Sequence, residues 1–221
     1  MRATFSNDQR EQFIDKMSRL WKDEPGRILI AKTILAMDTR YNLFTKMARE
    51  SGVEDVIEQL LERLENAYPV LSDVQNKRIL DIACGSNTSK APASYYFGAT
   101  YSRRSFERTS SGYTAMFEPW LCRILFELGA TPVGVDFGDL EHELFIHHRL
   151  DLGRPGALDF LADHSFDAIQ DSRLFGSPEF TTKFPQQADR LKVAQELVRQ
   201  EQRLLKPDGI IIHSDATALL R

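Results

Sequence analysis

From Lys77 onward the chain alternates short aliphatic runs with longer amphipathic stretches, and no other feature constrains its fold as tightly. Residues 78–82, 131–135, 145–150, 166–169 and 209–213 read as five strands, with helices over 115–128, 157–162 and 186–205. Strands separated by helices pair in parallel through right-handed crossovers. The expected fold is therefore α/β, a doubly wound, mainly parallel sheet of about five strands. The first strand is the most telling, because its run Ile79-Leu80-Asp81-Ile82 breaks at once into the small-residue turn Ala83-Cys84-Gly85-Ser86-Asn87. Such a turn at the carboxyl end of a buried parallel strand lets backbone approach a ligand closely.

The first seventy residues carry helical periodicity and no convincing strand. Phe13, Met17, Leu20 and Trp21 share one face, behind a Ser6-Asn7-Asp8 start suited to capping. A second pattern runs over 28–47 and stops near Gly52. Ser51 and Glu54 have the spacing of a capping box, and Val53, Val56, Ile57, Leu60, Leu61 and Leu64 then recur at helical intervals. Three helices are expected before Pro69, as a helical cap over 1–70 that covers the domain at 77–221 or serves as a substrate lid or dimer surface. Pro69 and Asp73 break the pattern between the two parts.

Composition narrows the class. With 42% apolar residues the chain can bury a sizeable core, yet no window approaches the roughly 20 apolar residues of a membrane span. A polar start unlike a secretory leader makes a cytoplasmic setting the expectation. Cys84 and Cys122, without CxxC or Cys/His spacing, read as reduced thiols. A net charge of −4 argues against nonspecific nucleic-acid binding. His142, His147 and His148 beside Glu141 and Glu143 suggest a metal, but neighbouring strand residues point to opposite faces, so no metal site is expected.

Four of the five strands end in polar residues placed to face one crevice: Asp81, Asp136, Asp151, and Gln170 with Asp171. An acid at the end of the second strand can accept hydrogen bonds from both hydroxyls of a ribose. An adenosine-bearing ligand is the expectation.

With these residues in place, the chain resembles the class I S-adenosylmethionine-dependent methyltransferases over 77–214. The resemblance rests on ILDIACGS, PVGVDFGDLE, HRLDL, SFDAIQDSRLF and LLKPDGIIIHS, in that order. It implies a Rossmann-like sheet in which Asp81, Ala83 and Gly85 border the methionine part of the cofactor. Asp136 would hold the ribose, Asp151 and Leu152 would meet the adenine, and Phe137 would pack on its face. Gln170 would face the same crevice. The first loop departs from the family pattern, with Ala83 and Asn87 where glycines are usual; alanine tolerates close packing, and asparagine can adopt a left-handed backbone. The lack of a full G-x-G-x-x-G makes a nicotinamide-dependent dehydrogenase the weaker reading.

Two further departures bear on function. Residues 89–113 form an insertion carrying Tyr95, Tyr96, Phe97, Tyr101, Arg103, Arg104, Phe106, Arg108 and Tyr113 directly after the cofactor turn. As a lid, its arginines would favour an acceptor with carboxylate or phosphate. No antiparallel strand pair is evident after the fifth strand, and an uncovered edge invites a homo-oligomer or cover from the N-terminal helices. Asp171, Arg173 and His213 are the candidate catalytic groups, with Ser172 placed to orient an acceptor. The expected activity is O- or N-methylation of a small molecule, leaving S-adenosylhomocysteine. The alternatives are a protein or RNA methyltransferase with Arg103, Arg104 and Arg108 on a basic face, or a non-catalytic binding or regulatory subunit.

Overall fold

Aliphatic residues on both sides of the first strand dictate its central place. A computed structural model describes residues 5–50, 52–87 and 115–221, and beyond Arg78 every residue of β1 (Arg78–Ile82) is buried. It pairs on one side with β2 (Thr131–Asp136) and on the other with β4 (Phe166–Asp171). β3 (Ile146–Arg149) and β5 (Leu205–Ser214) form the edges. All five strands run parallel in the order β3-β2-β1-β4-β5, a Rossmann-like sheet flanked by helices. Among the described residues no antiparallel strand follows β5. The chain direction across the sheet reverses between β1 and β4, which opens a crevice at their carboxyl ends.

Four helices precede the sheet where three were expected: α1 (Asn7–Ser18), α2 (Glu24–Tyr41), α3 (Leu43–Arg49) and α4 (Val53–Ala67). Asn42, left-handed at φ 55°, divides the second pattern in two, and the Asp38 carboxylate accepts the Phe44 N–H at 3.0 Å to cap the restart. Ser6 caps α1 with a reciprocal bond to Gln9, as the polar start implied. Ser51 of the other expected capping box lies outside the described residues; α4 begins after Gly52 without a side-chain cap.

Two later helices are shorter than their periodicity suggested. Pro119 interrupts the first, leaving a single 3₁₀ turn at Ala115–Phe117 before α5 (Trp120–Glu127). Residues 157–162 are not helical. After Pro155 and Gly156 they form consecutive i to i+3 turns, which still bury Leu158 and Leu161. α6 (Pro178–Lys183), α7 (Gln187–Leu204) and α8 (Asp215–Leu219) complete the described helices.

Alternation along the strands sends successive side chains to two cores. Ile79 and Ala168 join α1 to α5 in one, while Leu80, Ile82, Val133, Val135 and Ile169 pack with Ala194, Leu197 and Leu204 of α7 in the other. Lys16 of α1 bonds Glu54 and Glu58 of α4, joining two of the N-terminal helices at their surface, and Arg40 of α2 bonds Glu127 of α5, tying them to the helix that precedes β2.

Candidate ligand pocket

Small residues at the end of β1 leave room for a cavity of about 420 Å³ at the carboxyl ends of the strands. Asp81, Ala83, Gly85, Asp136, Phe137, Asp151, Leu152 and Gln170, the eight residues expected around a cofactor, all line it, as does Arg173. Leu152 is buried in its wall, whereas Phe137 is 60% exposed at the rim and belongs to no core.

The first loop is held by backbone conformation and by Asp136. Ala83 is left-handed at φ 60° and Gly85 at φ 97°. A side chain at Gly85 would overlap the Phe117 carbonyl oxygen, so this glycine is required by the 3₁₀ turn packed over the loop. The left-handed backbone considered for Asn87 occurs at Ala83 instead. Asn87 acts through its side chain, donating to the Glu141 carbonyl at 2.6 Å and to Glu143 Oε1 at 2.9 Å and accepting from the Glu141 N–H at 2.9 Å. Ala83→Gly is expected to raise stability by about 1 kcal/mol, since alanine bears a steric cost in this conformation that glycine does not. Urea unfolding measures it; a lower stability in the variant refutes the strain.

The acids at the strand ends have different surroundings. Asp136 accepts the Gly85 N–H at 3.0 Å and the Gly138 N–H at 2.9 Å; burial raises its pKa against those bonds. Asp81 is 3% exposed and among the described residues accepts only a weak bond at 3.6 Å from the Cys122 thiol, and burial pushes its pKa up to about 7. Cys84 and Cys122 are both free and buried, and burial raises both thiols. Asp151 is also desolvated, but the ammonium of Lys183 and the Gly153 N–H outweigh burial and hold its pKa below the usual range.

Strand alternation decides which of the remaining candidates reach the cavity. Gln170 pairs in register with Asp81 and faces the cavity with it. Its Nε2 donates to Ser172 Oγ at 3.3 Å, while its Oε1, fully buried, has no hydrogen-bond partner among the described residues. Asp171, expected beside it, points to the other face of the sheet, where its carboxylate accepts the Ala216 N–H at 2.7 Å. His213 lies one strand further out with its Nε2 2.8 Å from Asp215 Oδ1. Neither Asp171 nor His213 lines the cavity. Arg173, left-handed at φ 66°, is anchored by its N–H to Asp215.

Sequence reasoning missed the wall opposite the strand ends. Val56 and Leu60 of α4 line it, with Met116, Phe117, Glu118, Trp120 and Leu121. The apolar stripe of α4 was visible, but periodicity does not say that part of a stripe fronts a cavity. The insertion at 89–113 lies outside the described residues. Among the described residues no cluster of three His, Cys, Asp or Glu could hold a metal ion, and no helix is long and apolar enough to cross a membrane.

Compared with protein-family models, curated proteins and solved structures, the chain matches none of them.

Proposed function

We propose that the chain is an S-adenosylmethionine-dependent methyltransferase of small molecules. The observation that carries this reading is the pair of buried acceptors at the cavity end of β1 and β4. Among the described residues Asp81 has a thiol as its only hydrogen-bond donor, and Gln170 Oε1 has none. Buried acceptors short of donors are costly, and an amino group delivered between the two would satisfy both. Asp136 fits the next part of such a ligand. Its oxygens accept the Gly85 and Gly138 N–H groups, with the Phe137 N–H also interacting, and a carboxylate has about four lone-pair sites, which leaves capacity for a ribose hydroxyl. Asp151 and Leu152 stand further along the same wall, with Phe137 at the rim, where an adenine would lie.

When bound, S-adenosylmethionine supplies a methyl group on positive sulfur, open to in-line displacement by an acceptor oxygen or nitrogen. The protein's part in such a reaction is chiefly alignment. The Ser172 hydroxyl, fixed by Gln170, and Arg173 remain at the cavity to orient an acceptor.

Calorimetric titration with S-adenosylmethionine and S-adenosylhomocysteine tests the reading, and binding of neither sinks it. Asp136→Ala is expected to weaken binding about tenfold or more, the loss of charge-assisted hydrogen bonds. Asp136→Asn, which preserves shape, separates this loss from loop collapse. Unchanged affinity in both variants refutes the ribose assignment.

One observation favours a second reading, a binding subunit without transfer activity. Of the three groups considered for proton transfer, Asp171 and His213 do not line the cavity. Binding of both cofactor forms without methyl transfer to any of a panel of phenols, amines and carboxylates would support it.

A further inference from the structure

We infer that the acceptor end of this cavity takes a neutral, largely apolar molecule bearing a single N–H or O–H. The inference rests on the methyltransferase reading and concerns the wall that the N-terminal helices and the 115–121 segment build. Val56, Leu60, Met116, Phe117 and Leu121 supply that wall with hydrocarbon, thioether and ring surface.

Its acidic residue is already satisfied. Glu118 is almost fully buried, receives the Arg123 guanidinium and accepts from Lys46 Nζ at 2.5 Å. A carboxylate so paired has little attraction left for a cationic acceptor, and Arg123 and Lys46 are held by Glu118 rather than presented to an anion. On the facing wall the Lys183 ammonium is held by Asp151. Arg173, which follows Ser172 after β4, also lines the cavity, so titration with benzoate and phenyl phosphate decides whether its charge draws an anion.

The apolar wall is a built feature. The buried Glu50 carboxylate accepts the N–H groups of Ala115 at 2.7 Å and Met116 at 3.3 Å, which fixes the 3₁₀ turn against the α3–α4 junction. Such a wall is formed before a ligand arrives. Ser172 gives the polar handle: its Oγ accepts from Gln170 and keeps a second lone pair for a donor on the ligand. An extended anion would bury its charge against apolar groups, a cost that a neutral ring with one donor avoids.

Indole, benzoate and phenyl phosphate, titrated into protein saturated with S-adenosylhomocysteine and into protein alone, test the inference. Indole is expected to bind the loaded protein about tenfold more tightly than either anion, and Met116→Glu to cost indole about tenfold while the affinity for S-adenosylhomocysteine holds. Val56→Thr, a gentler change of nearly equal volume, is expected to weaken indole about threefold. Tighter binding of either anion overturns the inference, as does indole affinity unchanged in both variants. If S-adenosylhomocysteine fails to bind, the cofactor reading falls, and the indole titration of protein alone still decides the character of the wall.

Discussion

Arg123→Met is expected to destabilise the protein by about 3–5 kcal/mol, the cost of leaving buried carboxylates without their cation. Arg123 is 2% exposed, with its guanidinium 4.2 Å from the Tyr41 ring centroid and 4.7 Å from that of Trp120. It bonds Glu118 and donates to Glu143 at 2.5 Å from one nitrogen and at 3.1 Å from another, and the side chains of both acids are almost wholly buried. Methionine replaces the aliphatic stem but neither the charge nor the donors. Lys46 still reaches Glu118, so Glu143 bears most of the loss. Because Glu143 also accepts from Asn87, the first cavity loop should loosen with it, and ligand affinity should fall more than stability alone implies. Urea unfolding measures the first effect and calorimetry the second. Adding Glu143→Gln to Arg123→Met should recover part of the stability, since it removes the stranded charge. A loss under about 1 kcal/mol in the single variant would show that the network is not held together by this ion.

The same network shows what the sequence made legible. Strands, their order along the chain and their acidic ends could be read because uninterrupted aliphatic runs have few alternatives in a chain of this size. The cavity residues followed, since the carboxyl ends of β1, β2 and β4 must meet at the reversal of strand order. Side-chain direction near the end of β4 was not legible. Gln170 and Asp171 are adjacent, and only the register of β4 against β1 shows that Gln170 shares a face with Asp81. Nor were long-range pairs legible: Arg123 and Glu143 are separated by a strand, and nothing local marks them as partners. Residues 157–162 had an apolar pattern but too few residues to nucleate a helix after Pro155-Gly156.

Stability should fall as pH rises from about pH 5 to about pH 8, by about 4 kcal/mol for each proton the folded protein retains and the unfolded chain has lost. Glu201 of α7 is 2% exposed; burial, then the nearby Asp171 charge, pushes its pKa up to about 8, against which the Ser214 hydroxyl donates to it at 3.1 and 3.2 Å. Burial raises Asp171 to about 7, opposed by the Ala216 N–H and assisted by Asp215. Both folded values lie above those of the unfolded chain, so their stabilising contribution is complete below about pH 4 and is lost as pH rises through the folded values. The two acids interact, so their protons leave as a coupled pair. Glu201→Gln keeps the shape and an acceptor for Ser214 while removing one titrating group. It should reduce the slope and leave the variant about 3 kcal/mol more stable than the parent at about pH 8. Asp81, raised to about 7 on the opposite face, retains a share of the slope. Urea unfolding across the pH range checks this, and an equal slope in the two proteins would refute the assignment. The consequence reaches the cavity: Asp171 and Asp215 hold the N–H groups of Ala216 and Arg173, so repulsion in this cluster strains the connection that carries Ser172 and Arg173 to the cavity wall.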